Sequence, residues 1–288
     1  MKKLAIIIFS LIFISGCGNN PAPSDDYAQK ITDHTLNNPS TTVLTQSANP
    51  STEPTTSEST VSAQFSQVPV LMFHYIRTVD KTKDLLGYNL SYEPALFAKL
   101  LDALDKAGYK TIHPSDLLDS AQNKLPTKPI ILTFDDGYED FLTNALPELN
   151  KHHFTAVEAI IVDKMTHDIS GQTYLSPTQV KQIDQQGIDI FSHTQSHIEL
   201  SKATPTKQRQ ELSDSKIALE KLLGHSVTGV VYPSGKYSKT TLAITKQLGY
   251  QIAFTTAPGL DSSTENLLKL QRIRVDNRRS LQSILKEL

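Results

Sequence analysis

From about residue 67 onward, short apolar runs alternate with segments whose apolar residues recur at helical spacing. The runs VPVLMFHYI, KPIILTF, TAVEAIIV, IDIFSH, VTGVVYP, QIAFTT and LKLQRIRV read as strands. KPIILTF is continuously apolar, as expected for a strand covered on both faces. Between the runs, Leu96, Phe97, Leu100, Leu101 and Leu104 mark one face of a helix, and Gly108 stands where a C-cap glycine belongs. Ser176, Pro177 and Gly187 supply an N-cap, a first-turn proline and a terminator for another. Helices are also predicted over 206–223, over 239–248, over YEDFLTNALPELNKHH with Pro147 a local complication, and at the C-terminus. A polar loop is expected after the first strand, through Gly87. The junctions KAGYKTI, QQGIDI and QLGYQIA repeat a helix–glycine–strand passage. Repeated βα units predict a parallel sheet, and this many favour a closed barrel, whose active-site residues gather at the C-terminal strand ends.

The first 66 residues follow no such pattern. MKKLAIIIFSLIFISGCGNN has Lys2 and Lys3, an apolar run over 4–14, then small residues, which is a secretory layout. That run is well short of the roughly 20 residues needed to cross a bilayer. ISGC resembles a bacterial lipobox, and Cys17 is the only cysteine, so it has no internal disulfide partner. The expectation is a signal peptide over 1–16 and lipidation of Cys17, anchoring the chain at the outer face of the cell membrane. Residues 17–66 are rich in Ser, Thr, Asn and Pro and cannot bury enough surface to offset chain entropy, which predicts a disordered tether. Residues 67–288 suffice for one α/β catalytic domain.

A formal net charge of -2 and scattered Lys and Arg give no case for nucleic acid, and nothing in the chain speaks to oligomeric state. The chemistry lies at the predicted strand ends: His74, the pair Asp135 and Asp136, His193, and the segment YPSG. Adjacent carboxylates repel and resist desolvation unless a cation or a shared proton compensates. His193 and His197 are four residues apart, so one helical turn after the strand would aim both imidazoles the same way. Two histidines and one carboxylate suit a divalent metal with positions left open for water and substrate. His113, His152, His153, His167 and His225 lie away from strand ends and are expected to be bystanders.

TFDDGY, SHTQSH and YPSGKY, in this order and spacing, resemble the polysaccharide deacetylases of carbohydrate esterase family 4, the NodB-homology domain. The resemblance covers about residues 128–288 plus the strand carrying His74. It implies a distorted (β/α)7 barrel that removes acetyl groups from N-acetylglucosamine residues of a polymer. It also implies Asp135 as general base, and Asp136, His193 and His197 as ligands of one divalent ion, zinc first, with cobalt, nickel or iron also fitting. A backbone N–H at Ser234 would serve the oxyanion, and Tyr232 or Tyr237 would pack on a sugar face. The family's arginine before the third motif is replaced by Val230, Val231 and Tyr232, and the chain has no tryptophan. No histidine follows His225, so the late histidine that acts as general acid is missing. His74 is the candidate replacement. In this the chain resembles the permuted branch of biofilm poly-β-1,6-N-acetylglucosamine deacetylases, in which an early histidine is the acid and an arginine, here Arg272, orients the base. Peptidoglycan N-acetylglucosamine, and a glycan-binding lipoprotein with impaired turnover, are the alternatives. A non-haem iron oxygenase shares the ligand set but needs a β-rich scaffold. Neighbouring aspartates cannot straddle a glycosidic bond at the roughly 5–10 Å a glycosidase requires.

Overall fold

Eight parallel strands make the sheet: β1 (Val70–Phe73), β2 (Lys110–Thr111), β3 (Pro129–Asp136), β4 (Val157–Ile160), β5 (Asp189–Ser192), β6 (Gly229–Val231), β7 (Ile252–Phe254) and β8 (Ile273–Arg274). The computed structural model describes residues 67–118, 125–165, 168–169, 172–260 and 264–288. The predicted signal peptide, Cys17, the linker and His167 lie outside the described residues. Seven strands run in the order β7-β6-β5-β4-β3-β1-β8. β3 is the longest: it pairs with β2 at its start, with β1 along its middle and with β4 out to Asp136.

The two ends of the strand path meet in one segment. Leu270 N–H donates to Ala253 O at 2.9 Å, and Thr255 N–H donates to Leu270 O at 3.0 Å. Arg272 N–H then donates to Ala257 O at 2.9 Å, after which Ile273 and Arg274 pair with Leu71 and Met72 of β1. Residues 270–274 thus leave β7 and join β1, closing a distorted barrel of seven path strands.

Both sheet faces are buried, which is why KPIILTF carries no polar alternation. Ile131, Val157, Ala159, Phe191, Val231 and Phe254 form the inner cluster. Leu132, Phe134, Ile160, Ile190 and Val230 point the other way, into the layer packed by Phe97, Leu100, Val180, Ile183 and Leu219 from the helices.

Helices form where spacing and caps predict them, at Pro94–Lys106, Pro177–Asp184, Pro205–Leu223 and Lys239–Gln247. Ser176 and Gln179 make a reciprocal capping box, and Gly108 and Gly187 follow their helices with φ of 83° and 85°. Three segments differ from expectation. LKLQRIRV opens inside a 3₁₀ helix, Thr264–Lys269, and is strand only at Ile273–Arg274. The loop toward Gly87 contains a short helix, Leu85–Leu90, capped by the Asp84 side chain. YEDFLTNALPELNKHH opens as a π-turn, Phe141–Ala145, before the α-helix Leu146–Lys151. Pro147 has no N–H to offer the carbonyl four residues back, and Leu146 N–H bonds five residues back, to Phe141 O.

Candidate active site at the barrel mouth

Neighbouring side chains on a strand point to opposite faces, so Asp135 and Asp136 should diverge. They converge on the mouth because β3 leaves the extended region at its last residue: Asp136 has φ 84° and Gly137 φ 78°. Asp tolerates the left-handed region better than most residues and Gly best of all, so Asp-Asp-Gly suits this turn. Leu175 N–H donates to Gly137 O at 2.8 Å, and the Tyr138 ring stacks on Tyr75 with centroids 3.5 Å apart.

The two carboxylates have different partners. Arg272, 1% exposed, grips Asp135 with two charge-assisted bonds, Nη1 to Oδ1 and Nη2 to Oδ2, each 2.8 Å. Thr133 Oγ1 at 2.9 Å from Nη1 and Thr255 O at 2.7 Å from Nε fix the guanidinium. Burial alone would raise the Asp135 pKa; Arg272 outweighs it and holds the carboxyl below its ordinary value. Burial acts likewise on Asp136, and His193, His74 and His197 drive it far below the carboxylate range. Both aspartates are ionised.

The predicted helical turn between His193 and His197 is absent. The segment is a loop with left-handed Thr194 (φ 66°) and His197 (φ 63°), and it is anchored from the side. Buried Glu211, on Pro205–Leu223, accepts from Ser196 N–H at 2.8 Å and from Ser196 Oγ at 2.7 Å. His197 N–H donates to Thr194 Oγ1 at 3.1 Å. The imidazoles still meet, with ring centroids 4.7 Å apart. His193 Nδ1 lies 2.8 Å from Val231 O, which can only accept, so Nδ1 carries the proton and Nε2 offers a lone pair to the mouth. Burial and His193 lower His197 to about 4, whereas at His193 the Asp136 carboxylate outweighs burial and raises the pKa.

Asp136 Oδ1 is 3.4 Å from His193 Nε2 and 3.4 Å from His197 Nε2, and the three atoms all lie within 4.8 Å of one another. Ligand atoms around a tetrahedral zinc with bonds of about 2.0–2.1 Å sit about 3.3–3.4 Å apart. The donor types and spacing therefore fit one divalent cation, which would also offset the crowded carboxylates.

His74 follows β1, with Nε2 4.0 Å from Asp135 Oδ2. Burial lowers its pKa, Asp135 and Asp136 oppose, and Arg274 and Arg272 add to the lowering. Ser234 is exposed and left-handed (φ 54°), and its N–H bonds to no described residue. Gly235 beside it is needed, since a Cβ there would stand 2.2 Å from Thr256 Oγ1.

Tyr232 does not line the mouth. Strand alternation places it with Val230 on the helix-facing side, where it is fully buried and its hydroxyl donates to Leu268 O at 3.1 Å. Tyr237 is 36% exposed and rests against the Tyr232 ring. His113 pairs with Asp189 at 2.8 Å, His225 with Asp184 at 2.9 Å and His152 with Asp102 at 3.2 Å, all away from the mouth. The sequence reading missed Glu211, Thr133 and Thr255. Thr133 was within reach, since it precedes Asp135 by two on the same strand face.

A parallel α/β barrel whose mouth joins an arginine-held carboxylate, a facing histidine and a two-histidine, one-carboxylate set defines a class of hydrolase. The family model described as polysaccharide deacetylase matches residues 122–253. YxkH of Bacillus subtilis is 34% identical over 212 residues, covering 73% of this chain and 72% of that protein. The solved structure of the Streptococcus pyogenes deacetylase PplD in complex with acetate has a TM-score of 0.70 at 34% identity, covering 77% of this chain and 97% of that one. A fainter likeness, 23% identity over 58% of this chain and 61% of that protein, links it to the poly-β-1,6-N-acetyl-D-glucosamine N-deacetylase of Staphylococcus epidermidis. The chain belongs to the polysaccharide deacetylase family.

Proposed function

We propose that this protein hydrolyses N-acetyl groups from N-acetylglucosamine residues of an envelope polysaccharide, with poly-β-1,6-N-acetylglucosamine the favoured polymer. The supporting observation is the acid–base pair: His74 faces Asp135 at 4.0 Å, and Arg272 holds Asp135 bidentate, which is the arrangement that the early-histidine branch implies. A divalent ion held by Asp136, His193 and His197, zinc the first choice, would polarise the amide carbonyl and acidify water. Asp135, kept ionised by Arg272, accepts a proton from the water that attacks the acetyl carbon. The Ser234 N–H, which bonds to no acceptor among the described residues, donates to the oxygen that becomes negative. The proton that Asp135 takes from water passes to His74, 4.0 Å away, which donates it to the departing nitrogen as the C–N bond breaks, leaving a free amine and acetate. The reading extends to location: lipidation at Cys17 and the linker 17–66 would hold the domain at the outer face of the membrane, near such a polymer.

Acetate release from acetylated β-1,6-glucosamine oligomers is the direct assay, with peptidoglycan fragments as the second arm. Release is expected with the oligomers, to be lost with chelator and in Asp136→Ala, and to fall about 10²–10⁴-fold in His74→Ala. Release unchanged in Asp136→Ala would overturn the mechanism, and turnover of peptidoglycan alone would change the polymer.

A further inference from the structure

β8 carries a second arginine two residues past Arg272. Side chains alternate along a strand, and Ile273 and Val275 pack in the helix layer, so Arg272 and Arg274 both face into the barrel. β8 is parallel to β1, and Arg274 stands opposite Met72, the residue two before His74. Two residues advance a strand by about 6.6 Å, which sets Arg274 one step nearer the mouth than the Arg272–Asp135 pair, on the side of His74. Asp135 and Asp276 are the carboxylates that act on it most, and both are committed elsewhere. Arg272 holds Asp135, and Arg278 holds Asp276 through Nε and Nη2. Arg274 is half-buried, yet its guanidinium makes no hydrogen bond among the described residues. No other described lysine or arginine combines these two properties. Arg77, Lys164, Lys216, Arg272 and Arg279 are also withdrawn from solvent, and each donates to an acceptor. The remaining unpartnered cations are exposed, where water satisfies them.

A guanidinium drawn out of water without an acceptor is unfavourable, and a ligand that brings oxygen atoms relieves it. We propose that Arg274 is a specificity residue that reads the acetylation state of the polymer beside the acetamide under attack. It donates to the acetamide oxygen of a neighbouring sugar, and it repels that sugar once its nitrogen has become an ammonium. The inference rests on the proposed activity, which turns a neutral acetamide into a primary amine, protonated below roughly pH 8 as α-amino groups are. The same nitrogen thus carries an acceptor before reaction and a like charge after it. Like charges placed side by side at an interface are strongly unfavourable, so a partly buried arginine discriminates sharply between the two states. The enzyme would work best along acetylated stretches and slow as free amines accumulate around them. An anionic substituent would also suit a guanidinium, but the polymer bears none before or after deacetylation.

The test uses the zinc-loaded full chain in nonionic detergent, at about pH 6, where the amines are protonated. Its substrates are β-1,6-glucosamine pentamers with an isotopically labelled acetyl group on the central nitrogen, the other nitrogens being acetylated, free or succinylated. In the parent, kcat/KM for the labelled acetate is expected to be at least about 10-fold lower with free-amine neighbours than with acetylated ones, chiefly through KM. Arg274→Gln should bring that ratio within about 3-fold, and Arg274→Lys, which keeps the charge, should retain it. A merely structural role would lower release from both pentamers alike and leave the ratio of the parent. An unchanged ratio in Arg274→Gln therefore overturns the proposal. So does a parent that prefers succinylated to acetylated neighbours, which would assign Arg274 to an anionic group. Binding of the acetylated and free-amine pentamers is measured in parallel by calorimetry. If no pentamer releases acetate, the assigned activity fails by itself. The inference about Arg274 is then decided by the same ratio in Kd, and failure of both pentamers to bind overturns it.

Discussion

At the scale of single residues, Arg272 and Glu158 are two buried titratable groups, one charged and one neutral, whose replacement should have opposite consequences. Arg272 is wholly enclosed, and its removal would leave Asp135 ionised with no counter-charge. Arg272→Met is expected to cost about 3–5 kcal/mol in urea unfolding, the usual penalty for stranding one member of a buried pair. Asp135→Asn/Arg272→Met should recover much of that stability while remaining inactive. Equal instability of the single and double variants would show that Arg272 acts by packing alone. Glu158, on β4, is 1% exposed, and neither carboxylate oxygen has a hydrogen-bond partner among the described residues. Burial first, then Asp135, Asp140 and Asp136, push its pKa well above the ordinary value; the Gly137 N–H beside the carboxylate opposes them but lies outside hydrogen-bond geometry and is outweighed. The unfolded chain ionises this group near pH 4.3 while the folded chain keeps it protonated, so its contribution to stability falls as pH rises from about 4.3 through the raised folded pKa. Glu158→Gln, a mimic of the protonated acid, should therefore raise the thermal midpoint at about pH 8 more than at about pH 5. A uniform rise or fall at both values would count against a buried neutral acid.

At the scale of elements, most strands were legible, and the ties between distant elements were not. β3 could be read from its continuous apolar run, and its turn from Asp-Asp-Gly, because both signals are local. The His193–His197 loop was misread as a helical turn because four-residue spacing suits a helix and also a loop with two left-handed residues. What selects the loop is Glu211, 15 residues beyond Ser196 on another element, and a lone Glu in a polar helix carries no mark of that duty. Tyr232 was misplaced for a simpler reason: the alternation that sends Val231 inward sends its neighbour into the helix layer. Arg272 carried no signal of its own in LQRIRV, and family resemblance alone pointed to it; its place in the closing segment depends on contacts from β1, β3 and β7 together. The loop makes a distinct prediction. Glu211→Ala frees Ser196 and should weaken zinc binding about 10–100-fold, as loss of an outer support does, measured by competition with a chromophoric chelator. The far-ultraviolet circular dichroism should be unchanged, since Pro205–Leu223 keeps its Thr204 cap and its buried leucines. Unaltered zinc affinity would mean that the loop holds its shape without this anchor.

At the scale of the whole molecule, the proposed cation site joins parts of the barrel that do not touch through backbone pairing. Asp136 ends β3, His193 and His197 follow β5, and β4 lies between. A cation on all three side chains ties those strand ends together over the top of β4, while residues 270–274 close the opposite side of the ring. A ligand that binds only the folded chain stabilises it by RT ln(1 + [L]/Kd), about 2.7 kcal/mol at a hundredfold excess over Kd. Zinc should therefore raise the calorimetric midpoint of the entire domain, as one transition, and a chelator should return it to the metal-free value. The shift should shrink as pH falls, because a proton on His193, whose pKa Asp136 raises, must leave before that nitrogen can bind. Asp136→Asn, which keeps the shape and removes the charge, should show little zinc-dependent shift at any pH. If zinc moves the midpoint equally in the parent and in Asp136→Asn, the ion is bound elsewhere, and the convergence of three side chains at the mouth has another cause.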